Sequence, residues 1–129
     1  MLQLRVTVVN DHENQRNAEV ATLLAHEYQA VGVSTIEDVD EIPDATFPDL
    51  FIITCSHGTG YALAQRIRER SSLVGLLLVV ASGDADSRSR AFRSGADNYL
   101  IKPYAMDELL AIVKNLSRFL MQSPISAPR

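Results

Sequence analysis

Short apolar runs alternate with amphipathic stretches along this chain. An apolar run bounded by turn-forming residues is typical of a strand buried on both faces of a sheet. The pattern predicts five strands, at residues 4–9, 33–36, 49–54, 75–81 and 99–101. The central run belongs to residues 48–60, which read PDLFIITCSHGTG, and is followed by a polar segment. We expect the rest of the chain to be organised around this strand.

Apolar residues at helical spacing fill most of the intervals between these runs. They predict helices at about residues 14–31, 59–70, 86–94 and 106–121. The first helix would place Tyr28 and Val31 on its apolar face and end before Gly32, which suits the position after a helix C-terminus. Residues 38–47 are interrupted by Pro43 and allow only one or two helical turns.

The alternation of strands and helices predicts a single α/β domain. Such an order builds a doubly wound sandwich around a parallel sheet, with right-handed crossovers. Residues 1–121 carry this pattern, whereas residues 122–129 are rich in Pro and Ser and are typical of a linker or a loose tail. We expect the tail to lead to an output domain outside this chain.

Charge and composition exclude several classes of function. The formal net charge is -4 and the isoelectric point is about 5.3, which argues against direct contact with nucleic acid. No apolar run approaches the roughly 18 residues that span a membrane. The N-terminus lacks the layout of a signal peptide, so we expect a cytoplasmic protein. The single cysteine, Cys55, excludes an internal disulfide.

Polar residues follow three of the predicted strands, at the edge where parallel sheets hold their ligands. Asn10 and Asp11 follow the first strand, Thr54 ends the third, and Lys102 follows the fifth. Residues 91–104 read AFRSGADNYLIKPY. In these features the chain resembles the receiver domains of response regulators.

The resemblance covers residues 4–119 and implies both a fold and a function. It implies a flavodoxin-like (βα)5 three-layer sandwich with five parallel strands in the order 2-1-3-4-5. It also implies a role in two-component signal transduction, without enzyme activity, and a cis peptide bond between Lys102 and Pro103. In this family, a histidine kinase phosphorylates an aspartate at the end of the third strand, and acidic residues hold Mg²⁺.

Three residues depart from the family pattern at that site. Thr54 stands at the position of the phosphoacceptor aspartate, Asn10 replaces one of two acidic residues that hold Mg²⁺, and Val80 replaces a threonine or serine. A hydroxyl is a poor nucleophile without a base, and Mg²⁺ is usually held by carboxylates. We therefore predict a pseudo-receiver with weak or absent Mg²⁺ binding, no other cofactor and no aspartyl phosphorylation. The degenerate pocket would comprise Asn10, Asp11, Thr54, Val80 and Lys102.

The missing carboxylates change the charge balance of this pocket. Asp11 and Lys102 remain as one negative and one positive charge. We hypothesise that they neutralise each other, directly or through a water molecule, so that the pocket needs no metal.

The resemblance places the contact surface for partners on the fourth helix, the fifth strand and the fifth helix. The candidate contact residues are Arg90, Asp97, Glu108, Ile112 and Arg118. The partner would be an output domain or another protein, and a homodimer stays open. Tyr99 matches the family's switch aromatic residue; because Val80 lacks a hydroxyl, we predict that Tyr99 is locked in one rotamer.

Two alternatives to a pseudo-receiver stay open. The segment from Ser56 to Gly60 opens a predicted helix with glycine and hydroxyl residues, an arrangement that can bind phosphate or a small molecule. The other alternative is a receiver that is phosphorylated at a different residue, such as Asp11.

Overall fold

Five parallel strands form one sheet in the computed structural model, which describes residues 3–54 and 59–121. They are β1 (Arg5–Val9), β2 (Gln29–Val33), β3 (Leu50–Thr54), β4 (Gly75–Val80) and β5 (Asn98–Ile101). Their order in the sheet is β2-β1-β3-β4-β5, and every neighbouring pair is parallel. The predicted flavodoxin-like sandwich and its strand order are confirmed.

Helices cover both faces of the sheet. They are α1 (Glu13–Ala25), α2 (Ile36–Asp40), α3 (Thr59–Arg70), α4 (Ala85–Arg93) and α5 (Met106–Met121), and a 3-10 turn spans Asp44–Thr46. Leu23 of α1 and Leu109 of α5 share one hydrophobic core. Leu63 of α3 and Ala91 of α4 belong to a second core on the opposite face. The helices therefore form the two outer layers of the sandwich.

The central strands β3 and β4 are buried along their whole length. Alternate residues of a strand point to opposite faces, so Leu50 and Ile52 enter one core while Phe51 and Ile53 enter the other. Burying each such side chain contributes about 1.5–3 kcal/mol to stability. This burial fixes the carboxyl ends of the central strands, and with them the position of Thr54.

The end of α1 differs from the prediction. The helix stops at Ala25 instead of continuing to about residue 31, and Glu27 has a φ of 71°. The backbone N–H of Glu27 donates to the carbonyl of Leu24, and that of Tyr28 donates to the carbonyl of Leu23, at 3.2 and 3.1 Å. These bonds form a Schellman motif, in which a left-handed residue terminates the helix.

Strand β2 therefore spans Gln29–Val33 and shares only residue 33 with the predicted strand at residues 33–36, while Ile36 begins α2. Val31 lies opposite Thr7 of β1, so its place is set by strand pairing and not by the helical spacing it shares with α1. Gly32 is a strand residue and not a helix terminator. A Cβ atom there would lie 2.8 Å from Cγ of Arg16, which explains the absence of a side chain.

The other predicted elements agree closely with the structure. Helices α3 and α5 have the predicted bounds, and α4 starts one residue early, after Asp84, whose carboxylate accepts a hydrogen bond from the N–H of Ser87. The peptide bond between Lys102 and Pro103 is cis.

The predictions for Cys55, for the segment from Ser56 to Gly58 and for the tail at residues 122–129 lie outside the described residues. Among the helices of the described part, none has the length and apolar character that crossing a membrane requires.

Candidate functional site

Thr54 lies at the carboxyl end of β3 and lines a small pocket of about 50 Å³. Thr54 is 8% exposed, and its Oγ1 has no hydrogen-bond partner within the described ranges. The polar residues that share the pocket are Asn10, Asp11, Ser34 and Thr59. A buried hydroxyl without a partner costs about 1–3 kcal/mol. Since one water needs roughly 10–15 Å³, the pocket has room for water or for a few ligand atoms.

Asn10 is buried just after β1, and both the nitrogen and the oxygen of its side-chain amide form hydrogen bonds. Its Nδ2 donates to Oε1 of Glu19 at 3.1 Å and approaches Oε1 of Gln15 at 3.5 Å. Its Oδ1 accepts a hydrogen bond from the backbone N–H of His12 at 2.9 Å. The Asn10 side chain therefore supports the start of α1, and its Oδ1 has one of two lone pairs already occupied.

Asp11 is exposed and pairs with its neighbour along the chain. Its Oδ1 lies 2.9 Å from Nδ1 of His12, and 59% of its side chain is accessible. The predicted direct pair with Lys102 is wrong: in residues 3–54 and 59–121, Lys102 makes no ion pair and lines a different groove. The physical reason is where the two side chains lie: the Asp11 carboxylate is against His12 and beside the Thr54 pocket, whereas Lys102 lines a groove with Gln15 and Glu19. A bridge through water stays a prediction.

Val80 closes β4 with a side chain that belongs to the core. It is 1% exposed, and its backbone carbonyl accepts a hydrogen bond from the N–H of Lys102 at 2.8 Å. No hydroxyl is offered at this position. Of the five predicted pocket residues, the fold brings Asn10, Asp11 and Thr54 together, whereas Val80 and Lys102 do not line their pocket.

The residues at this edge do not fit a Mg²⁺ site. Mg²⁺ requires nearly octahedral oxygen coordination and is usually held by carboxylates. Among the described residues that line the pocket, Asp11 is the one carboxylate, and the amide of Asn10 is already hydrogen-bonded within the protein. In the part of the chain that the structure describes, no three His, Cys, Asp or Glu residues are grouped closely enough to hold a metal.

Glu19 is a site residue that the sequence analysis missed. It lies in α1, is 2% exposed, and its carboxylate accepts hydrogen bonds from Nδ2 of Asn10 and from the hydroxyl of Tyr104. Burial raises the pKa of Tyr104, and the hydrogen bond and the charge of Glu19 raise it further. Glu19 precedes the buried Leu23 by four residues, so helical spacing could have placed it on the inner face of α1.

Tyr99, the predicted switch aromatic residue, packs against α4. The rings of Tyr99 and Phe92 meet edge to face with centroids 5.7 Å apart and an interplanar angle of 82°. Phe92 is 50% exposed and Ile101 is 40% exposed, which leaves apolar surface at this side of the domain. The predicted locking of Tyr99 in one rotamer stays a prediction.

Three of the predicted contact residues are engaged within the chain. Asp97 accepts hydrogen bonds from the backbone N–H of Leu76 at 2.8 Å and from Arg68 at 3.2 Å. Glu108 accepts one from the N–H of Ala105 at 3.0 Å, at the start of α5. Ile112 is half-buried at the edge of the core.

The two remaining contact residues are exposed arginines. The guanidinium of Arg90 stacks over the ring of Tyr61, 4.3 Å from its centroid. Arg118 donates to Oδ1 of Asn115 at 2.7 Å. Arg90 of α4 therefore packs on α3, whereas Arg118 stays on the surface of α5.

Comparison with known proteins identifies similar sequences. The family model of the response regulator receiver domain matches residues 6–114. The phosphate regulon transcriptional regulatory protein PhoB of Rhizobium meliloti is 31% identical over 123 residues, which cover 88% of this chain and 52% of PhoB. The DNA-binding dual master transcriptional regulator RpaA of Synechocystis is 28% identical over 126 residues, which cover 88% of this chain and 49% of RpaA. The chain thus spans about half the length of these relatives.

Solved structures share the fold. The response regulator DrrB of Thermotoga maritima, an OmpR/PhoB homolog, has a TM-score of 0.82 and 25% identity over 91% of this chain and 54% of DrrB. A CheY-like receiver domain protein from Methanospirillum hungatei has a TM-score of 0.81 and 16% identity over 94% of this chain and 98% of its own.

Proposed function

Because this chain belongs to the response regulator receiver domains, we propose that it transmits a signal by protein–protein contact, without Mg²⁺-dependent phosphorylation of an aspartate. The observation that carries this proposal is Thr54, a buried hydroxyl residue at the carboxyl end of β3 where the family has its acceptor carboxylate. The domain would act as a signalling module and not as an enzyme.

The chemistry of Thr54 supports the loss of phosphoryl transfer. A carboxylate attacks phosphorus directly, whereas a hydroxyl needs a neighbouring base to take its proton. Among the described residues that line the pocket, only Asp11 has a side chain that could accept this proton as a general base. Its carboxylate is paired with His12. Oγ1 of Thr54 has no acceptor within hydrogen-bond reach in the described ranges.

The arrangement of Asn10 supports the loss of metal binding. Phosphoryl transfer develops negative charge that a divalent cation normally neutralises. A single exposed carboxylate and an amide committed to Glu19 and His12 leave such an ion without a ligand set. We expect Mg²⁺ affinity to be weak or absent.

The route of the signal is part of the proposal. The relatives are named as transcriptional regulators and are about twice as long as this chain. We infer that the domain contacts an output domain or a separate protein in the cytoplasm through the side formed by α4, β5 and α5. The exposed apolar residues Phe92 and Ile101 and the exposed Arg118 support this surface. A homodimer through the same surface is the alternative.

Beryllium fluoride with Mg²⁺ tests the proposal, because this complex imitates a bound phosphoryl group. We expect the ¹H–¹⁵N spectrum of the protein to keep its shifts at Thr54, Val80, Tyr99 and Lys102. The Thr54→Asp variant should behave in the same way, since Asn10 still provides no second carboxylate beside Asp11. Saturable shifts at these residues in the unmodified protein would overturn the proposal.

Acetyl phosphate tests the alternative in which Asp11 or another residue is phosphorylated. Intact-mass measurement after incubation with acetyl phosphate and Mg²⁺ should show no added phosphoryl group. A labelled fraction that disappears in an Asp11→Asn variant would establish phosphorylation at Asp11 instead.

A second candidate function is binding of a small oxyanion in the Thr54 pocket. It is favoured by the unpartnered Oγ1 of Thr54, which lies with Thr59 and Gly60 at the amino end of α3. The dipole of a helix favours negative charge at its amino end. Inorganic phosphate should then raise the melting temperature of the protein but not that of a Thr54→Val variant, with chloride at equal ionic strength as the control.

A further inference from the structure

A second and larger cavity lies between α1 and the segment that follows β5. Its volume is about 310 Å³, at the small end of the range of roughly 300–1,000 Å³ for ligand pockets. Gln15, Ala18 and Glu19 line it from α1, and Lys102, Tyr104 and Met106 line it from the other side. It shares no lining residue with the Thr54 pocket. We call it the α1 groove.

Glu19 gives the α1 groove a buried negative charge. The residue is 2% exposed, and the hydrogen bonds to its carboxylate come from the amide of Asn10 and the hydroxyl of Tyr104. Both donors are neutral, and no ion pair of Glu19 is found in residues 3–54 and 59–121. Burial of a carboxylate is unfavourable unless it is compensated, and a cation compensates it best. The groove therefore favours a ligand with a positively charged hydrogen-bond donor.

Lys102 gives the same groove a positive charge. Its side chain is half-buried and, within the described ranges, forms no ion pair, including none with Glu19. A lysine ammonium binds an anionic group as a point charge on a flexible chain. A ligand that carried only a cation would be repelled by Lys102, and one that carried only an anion would be repelled by Glu19.

We propose that the α1 groove binds a compact zwitterion of the α-amino acid class with an apolar side chain. The ammonium group of the ligand is recognised by the Glu19 carboxylate and its carboxylate by Lys102. Ala18, Pro103 and Met106 offer apolar surface for the side chain. Methionine adapts its shape to irregular contacts, which suits a small ligand of this kind.

Asn10 links this site to the Thr54 pocket. Asn10 lines the Thr54 pocket, while its Nδ2 donates a hydrogen bond to Glu19, which lines the α1 groove. A ligand whose ammonium group binds the Glu19 carboxylate therefore changes the hydrogen bonding of Asn10. Since the two cavities are lined by different residues, the absence of a ligand here would leave the proposed phosphorylation-independent signalling untouched.

Three probes and their blocked forms test the proposal by ¹H–¹⁵N spectroscopy. The protein is titrated with L-leucine, L-methionine and L-phenylalanine, each to about 10 mM, well above a dissociation constant of about 1 mM. We expect at least one of them to cause saturable shifts at Glu19, Lys102, Tyr104 and Met106. The N-acetyl and the amide forms of the same amino acid lack one charge each and should bind at least tenfold more weakly.

Charge-removing variants locate the site. Glu19→Gln and Lys102→Met keep the size of each side chain, and each should weaken binding at least tenfold while the dispersion of the spectrum shows a folded protein. Lys114→Met removes an exposed lysine of α5 outside the groove and serves as the control, with unchanged affinity expected. The absence of saturable shifts with all three amino acids would overturn the proposal. Equal binding of the blocked forms, or unchanged affinity in both groove variants, would overturn it too.

Discussion

The hydroxyl of Tyr104 donates a hydrogen bond to the carboxylate of Glu19, a residue 85 positions earlier in the chain. Asn10 donates to the other oxygen of the same carboxylate at 3.1 Å. The end of β1, the inner face of α1 and the segment after β5 therefore meet at one buried charge. This charge depends on neutral donors, so the loss of either donor is expected to be costly.

Removal of the Tyr104 hydroxyl tests this dependence. Tyr104→Phe should lower the free energy of unfolding by about 1–3 kcal/mol, because a buried carboxylate loses one of its two donors. Urea denaturation at neutral pH measures the change. Tyr28→Phe is the matched control, since the Tyr28 hydroxyl makes no hydrogen bond within the described ranges; its effect should stay within about 0.5 kcal/mol. Equal losses in the two variants would contradict the role of Tyr104.

High pH should reduce the contribution of the Tyr104–Glu19 hydrogen bond to the free energy of unfolding. Burial and the neighbouring Glu19 raise the pKa of Tyr104 above its ordinary value, so the folded protein holds the neutral phenol where the unfolded chain ionises. The stabilisation is complete below about pH 10, the pKa of an unperturbed tyrosine, and is lost as the pH rises further. Urea denaturation of the protein and of Tyr104→Phe at about pH 8 and pH 11 should show a smaller difference at the higher pH. A difference that grows with pH would contradict this assignment.

The Thr54 hydroxyl should be replaceable with a gain in stability. Thr54→Val keeps the shape of a buried strand residue and removes an oxygen that lacks a partner, so we expect the free energy of unfolding to rise by about 1 kcal/mol. Thr22→Val is the control, because Oγ1 of Thr22 donates to the carbonyl of Ala18 at 2.9 Å and no gain is expected. A loss of stability in Thr54→Val would mean that solvent or a ligand satisfies this hydroxyl.

Glycine at the end of α1 should also stabilise the fold. Glu27 has a φ of 71°, a conformation that costs an L-residue about 1–2 kcal/mol relative to glycine. We expect Glu27→Gly to raise the unfolding free energy by about 1 kcal/mol, measured by chemical denaturation. Glu41 follows α2 with a φ of -83°, so Glu41→Gly should bring no gain. A gain of equal size at both sites would rule out the conformational explanation.

Two arginines of α3 should differ in their contribution to stability. Arg68 donates to the carbonyls of Gly95 and Val74 at 2.7 and 2.6 Å, and to the carboxylate of Asp97 at 3.2 Å. Arg66 forms an exposed ion pair with Asp40. Arg68→Ala should cost about 2–3 kcal/mol in urea denaturation, because several acceptors lose a charged donor. Arg66→Ala should cost at most about 1 kcal/mol. Similar costs would show that the Arg68 contacts are replaced by water.

The elements that could be predicted from the sequence have regularly spaced apolar residues and clear boundary residues such as proline. Helix α5 has the predicted bounds because Pro103 precedes it and its apolar residues keep one face. The buried strands β3 and β4 were found from continuous apolar runs. The pocket positions of Asn10, Asp11 and Thr54 followed from their places after parallel strands.

The errors have local physical causes. The end of α1 was misplaced because a glutamate, and not a glycine, takes the left-handed position, while Tyr28 and Val31 continue the helical spacing by coincidence. The direct pair of Asp11 and Lys102 was wrong because the Asp11 carboxylate lies against His12, whereas Lys102 lines the α1 groove, which shares no residue with the Thr54 pocket. Glu19 was missed because an acidic residue in a polar stretch of helix is usually solvated, and its burial depends on Tyr104 from a distant segment.

The bond between Asn10 and Glu19 also limits which residue the fold accepts at position 10. An aspartate at position 10 would place a second carboxylate beside Oε1 of Glu19, where Nδ2 now lies at 3.1 Å. Two like charges so close disfavour each other's ionisation. An acidic residue at position 10 is therefore expected to destabilise the fold at neutral pH unless Glu19 is replaced as well. The identity of residue 10 is in this way set by a side chain of α1 and not only by the pocket that it lines.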